Sequence, residues 1–185
     1  HRHPFKTIAI DIVGPIRPPS GQGNPYILTL VACPTCYPEA VALPSTETDR
    51  VAEALVEMFS CFGVSSEIQS DRGSNFTSML IKEVARLLSV CQLHTTPYHP
   101  MATNGMVEKF NGTMKTMLKR MCAEIKSNWD RFLSPLLFAY RENPQTSLGF
   151  SPFELPYSRH VRGLLAILKE VWKNQELDVR KRRAA

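Results

Sequence analysis

Residues 7–15 read Thr-Ile-Ala-Ile-Asp-Ile-Val-Gly-Pro, a run of branched apolar residues that contains one carboxylate, Asp11, and stops at a Gly-Pro turn. Such a run predicts a β-strand, and two more of the same kind follow at 26–32 and 37–43. Three short strands in succession predict a meander. A carboxylate in a strand buried on both faces is costly unless a cation or another partner neutralises it, so Asp11 is a candidate functional residue.

Helices and strands alternate behind the meander. The predicted elements are a helix from Thr46 or Thr48 to about Cys61, a strand at Glu67–Gln69, a helix at Asn75–Ser89, a strand at Val90–Thr95, a loop at Thr96–Gly105, and helices at Met106–Ile125, Trp129–Tyr140 and Gly163–Gln175. This order predicts an α/β domain over residues 1–160, followed by a C-terminal helix and basic tail over residues 161–185.

The composition excludes several classes of protein. Charged residues make up 21% of the chain and hydrophobic residues 43%, which excludes disorder and a coiled coil. The long uncharged stretches contain several prolines, so we expect a soluble protein that does not enter a membrane. Residues 1–107 carry 7 Lys and Arg against 9 Asp and Glu, whereas residues 108–185 carry 15 against 8. The basic field therefore belongs to the C-terminal part, which includes Arg180–Arg183.

The five cysteines are an odd number, which favours reduced thiols in the cytosol or the nucleus. Cys33 and Cys36 have the spacing of a zinc or redox pair. The chain offers no second Cys-x-x-Cys pair, and the residues after Cys36 resemble a strand rather than the start of a helix. We therefore expect two hairpin cysteines without a metal or redox role.

Two further acids stand at the ends of elements: Asp71 follows a short strand, and Glu108 lies near the start of a helix. At about 100° per residue, Lys115 and Lys119 lie within roughly 20° of Glu108 on that helix, opposite an apolar face. This stripe has two interpretations. It is either a solvated charged face, or an acid that holds a cation beside lysines that contact phosphates.

Several motifs together resemble the DDE integrase core of retroviruses and gypsy-type retrotransposons. The segments that carry the resemblance are Ile10–Pro15, Ser70–Phe76, Pro97–Pro100 and Asn104–Asn111, with Tyr37–Ala40, Ala139–Arg141 and Gly149–Leu155 similar to the gypsy class in particular.

The resemblance implies an RNase H-like fold with a mixed five-stranded sheet flanked by helices. It also implies that Asp11, Asp71 and Glu108 are catalytic and coordinate two Mg²⁺ or Mn²⁺ ions, because hard oxygen ligands suit these metals. The implied reaction is polynucleotidyl transfer on DNA, namely 3′-end processing and strand transfer, by a two-metal mechanism without a covalent protein intermediate.

The same resemblance implies DNA contacts and partners. The positions that match DNA-contacting or mobile-loop residues of the family are Ser74, Asn75, Asn104, Asn111 and Lys115, to which the helical face adds Lys119. Glu39 matches a nearby acid that is not a ligand, and we expect it at the surface or at a strand end. The implied partners are element ends and target DNA. We also expect a homodimer or higher oligomer, and a nuclear location reached through the cytoplasm.

Some features depart from the family pattern. Asp71 and Glu108 are separated by 36 residues, one more than is usual, and a loop absorbs one residue at little cost. Ala32 and Cys36 stand where gypsy relatives usually have Asp and Arg. We also expect the chain to represent the catalytic core alone. The alternatives are a domesticated, catalytically silent module that binds DNA or protein, and an RNase H-like nuclease or transposase of another lineage.

Overall fold

A mixed four-stranded sheet organises the chain, in a computed structural model that describes residues 4–33, 35–88, 105, 109–117, 128–145, 149–160, 163 and 167. Its strands are β1 (Thr7–Val13), β2 (Tyr26–Ala32), β3 (Tyr37–Leu43) and β4 (Glu67–Ser70), in the spatial order β3-β2-β1-β4. The prediction of five strands is therefore wrong for the described residues, which form four. The expected fifth strand, Val90–Thr95, lies outside them.

The strand pairing confirms the predicted meander and adds a parallel neighbour. β1 pairs antiparallel with β2, and β2 pairs antiparallel with β3. β4 lies parallel to β1, with Ile10 opposite Ser70. A parallel pair needs a crossover connection, which the helix between β3 and β4 supplies. The chain runs in the same direction through Ile10 and Ser70, so Asp11, still within β1, and Asp71, just after β4, come next at the same level.

The helical elements of the described residues match the first two predicted helices to within two residues and add one short helix, at 154–157, that was not predicted. They are α1 (Thr48–Phe62), α2 (Ser74–Leu87), a helical segment at 109–117 called α3, a 3₁₀ turn (Trp129–Phe132), α4 (Leu133–Glu142) and the short α5 (Glu154–Tyr157). The one helix predicted from Trp129 is a 3₁₀ turn followed by α4. The reason is Pro135, whose ring clashes in an α-helix with the carbonyl four residues earlier, so the α-helix begins after Arg131. The expected C-terminal unit at 161–185 lies almost wholly outside the described residues.

Apolar side chains cover both faces of the sheet because residues alternate between the faces along each strand. On one face, Ile8, Ile10 and Ile68 pack in a buried cluster with α1 and α2. On the other face, Ala9 and Val13 pack with residues of α3 and α4. The Asp11 side chain shares the face of Ala9 and therefore points toward α3. Within the described ranges, no helix is long and apolar enough to cross a membrane.

Candidate active site

Asp11 lies in the middle of β1, which pairs antiparallel with β2. Its carboxylate nevertheless reaches the surface of the sheet. Its residue is half-buried, and its Oδ1 accepts a hydrogen bond of 2.7 Å from the backbone N–H of Ile12. Thr29, the opposite residue on β2, is buried and donates a hydrogen bond of 3.1 Å from its hydroxyl to the Asp11 backbone carbonyl. The backbone and one carboxylate oxygen of Asp11 are thus both held by neighbours.

Asn111 on α3 holds the second carboxylate oxygen. Its Nδ2 donates a hydrogen bond of 2.6 Å to Asp11 Oδ2 across 100 residues of sequence. The Asn111 residue is 4% exposed, because the adjoining Phe110 and Met114 bury this face of α3 against the sheet. A charge-assisted hydrogen bond from a buried amide is strong, so α3 is tied directly to the carboxylate of β1.

Asp71 comes one residue after β4 ends and is exposed. Because Ser70 is opposite Ile10 in the parallel pair, Asp71 and Asp11 follow at the same level and on the same face. Their charges interact. Burial is the largest influence on the pKa of Asp11 and raises it, and the charge of Asp71 raises it further. The sheet therefore brings two like-charged acids together, an arrangement that costs free energy without a cation.

Lys115 lies one helical turn after Asn111 and is exposed. Its ammonium charge lowers the pKa of Asp11, which places it within electrostatic range of the acid pair. The Ile12 N–H and the Asn111 amide lower this pKa as well, but burial is the larger effect. One side of the sheet therefore carries the Lys115 ammonium, the buried Asn111 amide and the carboxylates of Asp11 and Asp71.

The residues after Asp71 form an exposed polar surface beside the acid pair. Gly73 has φ +94°, a conformation that favours glycine, and this turn starts α2 directly behind Asp71. Ser74 and Asn75 are exposed at the first turn of α2. The Arg72 guanidinium lies 5.0 Å from the ring centroid of Phe76. Polar and cationic groups therefore face solvent beside the acid pair.

Glu108, Asn104 and Lys119 lie outside the described residues, although Lys109 directly after Glu108 is part of α3. Within the described ranges, no group of three or more His, Cys, Asp or Glu side chains could hold a metal ion. The structure thus brings together Asp11, Asp71, Asn111 and Lys115, with Ser74 and Asn75 beside them.

Two polar residues near the site were not singled out from the sequence. Thr29 holds the backbone of Asp11, and Gln69 is a buried polar residue of β4, two positions before Asp71. Both stand in strands whose other central residues are apolar. A polar residue inside an otherwise apolar strand is the sequence feature that could have identified them. Threonine is common in strands, however, and the sequence did not show which residues the strand register would place beside Asp11.

The fold and the acid pair define a class of protein. A mixed sheet covered by helices on both faces, with carboxylates at adjacent parallel strands, is the architecture of RNase H-like domains. The family described as "Integrase core domain" matches residues 1–100 of the 185 residues, and the chain belongs to that family. The predicted resemblance to retroviral and gypsy-type integrase cores is confirmed.

Individual relatives agree with this membership. The chain is 25% identical over 158 residues to the retrovirus-related Pol polyprotein from transposon 412 of Drosophila melanogaster, which covers 85% of this chain and 13% of that protein. It is 23% identical over 158 residues to human Gypsy retrotransposon integrase-like protein 1, which covers 85% of this chain and 30% of that protein. The chain thus spans less than a third of either relative.

A solved structure shows the same fold. The catalytic core domain of BIV integrase superposes with a TM-score of 0.62 at 19% identity, covering 83% of this chain and 95% of that chain. The predicted RNase H-like fold class is confirmed.

Proposed function

We propose that this chain is the catalytic core of a retroelement integrase that cuts and joins DNA by phosphodiester transfer. The observation that carries the proposal is the meeting of Asp11 and Asp71 on adjacent parallel strands, with Asn111 bonded to Asp11, in a member of the integrase core domain family. The proposed reaction comprises 3′-end processing and strand transfer of element DNA into target DNA.

The donor set suits divalent metal ions. Asp11 and Asp71 offer hard oxygen atoms, and their repulsion is a cost that a bound cation removes. Glu108 would complete the set, and the three carboxylates would hold two Mg²⁺ or Mn²⁺ ions. When bound, such ions activate a water or a DNA 3′-hydroxyl and stabilise the leaving oxygen.

The remaining residues of the site have roles that follow from their chemistry. Asn111 orients the Asp11 carboxylate through its hydrogen bond. Lys115 offers an exposed ammonium to the DNA phosphates that approach the acids. Ser74 and Asn75 offer hydrogen bonds to target DNA from the first turn of α2, and Asn104 and Lys119 extend the same DNA surface. Further proposals are assembly as a homodimer or higher oligomer, and action in the nucleus after passage through the cytoplasm.

A metal-dependent disintegration assay on a branched DNA substrate tests the proposal. With Mn²⁺, the parent chain should resolve the branch, and chelation of the metal should abolish the product. Asp11→Asn should lower the rate at least about 100-fold, because it removes a ligand charge. Asp49→Asn removes an exposed carboxylate from the first turn of α1 and serves as the matched control, with a rate within about twofold of the parent.

The assay also separates the proposal from its main alternative. A folded parent chain that binds the branched DNA but yields no product with Mn²⁺ or Mg²⁺ would identify a catalytically silent DNA-binding module. Equal activity of Asp11→Asn and Asp49→Asn would contradict the assignment of the site.

A further inference from the structure

Two buried amide groups beside the acid pair each have an unused acceptor. Asn111 Oδ1 and Gln69 Oε1 are both inaccessible to solvent and accept no hydrogen bond from any described residue. Their residues are 4% and 9% exposed. Buried polar atoms in proteins are nearly always hydrogen-bonded, so two orphaned carbonyl oxygens near one carboxylate require an explanation.

The sheet register places Gln69 two residues nearer the strand N-termini than Asp11, on the face of the sheet that α3 covers. Gln69 is opposite Ala9 in the parallel pair, two residues before Asp71 on β4. Its neighbour Ile68 packs on the other face with α1 and α2, so Gln69 shares the face of Ala9, Asp11 and α3. Gln69 is therefore on the face that α3 covers, diagonally across the parallel pair from Asp11, the residue that Asn111 binds.

One rearrangement provides the missing donor. The oxygen and nitrogen of a glutamine amide have nearly the same shape, and a half-turn about the last side-chain bond exchanges them. This half-turn puts Gln69 Nε2 where Oε1 lies and provides a donor in the position of an unused acceptor. The same exchange at Asn111 would instead replace a donor to Asp11 Oδ2 by an acceptor.

We propose that Gln69 is a positioning residue, whose Nε2 donates a hydrogen bond to Asn111 Oδ1. This bond selects the one orientation of the Asn111 amide in which Nδ2 donates to Asp11. A chain of bonds from Gln69 through Asn111 then holds the carboxylate of Asp11. Gln69 would orient the Asn111 amide, and Asn111 in turn orients the Asp11 carboxylate. Residues that hydrogen-bond to metal ligands orient those ligands in the same way. The catalytic consequence rests on the proposed function, whereas the bond itself does not.

The hydrogen bond can be measured in the metal-free protein. In the parent chain, a side-chain amide proton of Gln69 should exchange with solvent at least about tenfold more slowly than those of the exposed Gln22. Gln69→Met keeps the size of the side chain and removes the donor, and it should speed exchange of the Asn111 amide. A double-mutant cycle of Gln69→Met with Asn111→Ala should show at least about fivefold coupling in the unfolding equilibrium constant.

The catalytic consequence is measured in single-turnover disintegration with Mn²⁺. Gln69→Met should lower the rate constant at saturating DNA about tenfold, with the DNA concentration for half-maximal rate nearly unchanged. Gln69→His retains an N–H donor and should restore most of the rate. The control is Ser65→Ala, which also removes a buried atom without a described partner, but at the opposite end of β4.

The outcomes distinguish this inference from the proposed function. An active parent with unprotected Gln69 amide protons and no coupling to Asn111 overturns the inference and leaves the integrase proposal intact. Protected protons and coupling in a parent without activity overturn the integrase proposal and leave the hydrogen bond in place. The proton measurement needs no variant, so unprotected Gln69 amide protons would overturn the inference even where Gln69→Met fails to fold.

Discussion

At the level of single residues, the acid pair places two like charges close together. Asp11 is half-buried, and its two oxygens receive donors from Ile12 and Asn111, yet burial and the charge of Asp71 still raise its pKa. Residues arranged for chemistry are commonly not those that give the greatest stability. A bound cation would remove this repulsion, and the free energy of cation binding would become more favourable by that amount.

Replacing one acid should therefore stabilise the empty protein. Asp71→Asn removes the negative charge that faces Asp11, and we expect the metal-free melting temperature to rise by about 1–2 °C, for roughly 0.5 kcal/mol of relieved repulsion. The same variant should show a smaller shift on adding Mn²⁺ and no disintegration. Calorimetry with and without Mn²⁺ measures both effects. A lower melting temperature together with the full Mn²⁺ shift would show that these acids share no metal site.

The hairpin cysteines should be unreactive. Burial raises the pKa of Cys33 to about 12 and also raises the pKa of Cys36, which lowers the fraction of reactive thiolate at both positions. Cys61 is exposed. At pH 8, iodoacetamide should label Cys61 at least about tenfold faster than Cys33, as followed by peptide mass spectrometry. The double variant Cys33→Ser and Cys36→Ser should keep the parent's zinc content, and loss of stoichiometric zinc would contradict this.

At the scale of elements, Arg141 joins the end of α4 to the edge strand β3. Its Nε and its Nη2 donate to the Pro38 carbonyl at 3.0 and 2.7 Å, and Nη2 also pairs with Glu39 at 2.6 Å. The guanidinium lies 4.5 Å from the ring centroid of Tyr37. Glu39, expected at the surface or at a strand end, is thus a partly buried partner in this junction, with its side chain 22% exposed.

Breaking this junction should be costly. Arg141→Met leaves the Pro38 carbonyl and the Glu39 carboxylate without their donor, and we expect a loss of about 2–3 kcal/mol in the free energy of unfolding. Urea unfolding measures it. Arg50→Met is the matched control, because Arg50 is exposed and pairs only with Glu53 one turn away on α1, so its loss should be below about 0.5 kcal/mol. Equal losses in the two variants would contradict a structural role for the junction.

The stability of a second element, the segment at 151–154 that leads into α5, depends on pH. The N–H of Ser151 donates to Glu154 at 2.9 Å, and Ser151 Oγ accepts from the Glu154 N–H at 3.2 Å, a reciprocal pair of bonds across the turn that leads into α5. The Ser151 N–H and then His160 lower the pKa of Glu154 below 4.5. A lowered pKa means that the ionised carboxylate stabilises the fold above pH 4.5, and that this contribution is lost as the pH falls through the lowered value.

The stability difference between the parent and Glu154→Gln should therefore be largest near neutral pH and shrink as the pH falls below 4.5. Urea unfolding from pH 7 to pH 3 measures it. In a His160→Ala background the difference should be smaller but still present, since the Ser151 N–H remains. A difference that grows toward low pH would contradict the assignment.

At the scale of the whole molecule, the sheet separates the acid pair from the apolar interior on its opposite face. Helices α1 and α2 cover one face, and α3 and α4 cover the other. Asp11 and Asp71 lie together on the second face, where β4 ends and Asn111 of α3 contacts Asp11. Lys115 lies on the exposed side of the same helix, where the proposed DNA substrate would meet it.

Reversing charge on that face should weaken DNA binding in a salt-dependent way. Lys115→Glu with Lys119→Glu should lower the slope of log K against log salt by roughly one to two, one for each DNA phosphate that a lysine no longer neutralises. Fluorescence anisotropy with labelled duplex DNA at several salt concentrations measures the slope. Arg50→Glu makes the same type of charge change on α1, across the sheet, and should leave the slope unchanged. An unchanged slope in the lysine variant would indicate a merely solvated face.

Local sequence patterns were enough to predict the strands of the meander, most of the helices and the family. The apolar alternation at 7–13, 26–32 and 37–43 indicated the three strands, because periodicity is a local property. The spacing of Asp11, Asp71 and their flanking motifs indicated the integrase resemblance that the comparison confirmed. The break between Trp129 and α4 was missed, although Pro135 carried the signal for it.

Which distant residues touch follows from the folded arrangement of the chain. The parallel register sets Asp71 beside Asp11, and the packing of α3 carries Asn111 onto the Asp11 carboxylate from 100 residues away. Glu39 finds Arg141 in the same manner, across the gap between β3 and α4. Strand register and helix packing depend on contacts between parts of the chain that are far apart in sequence, and local patterns do not encode those contacts.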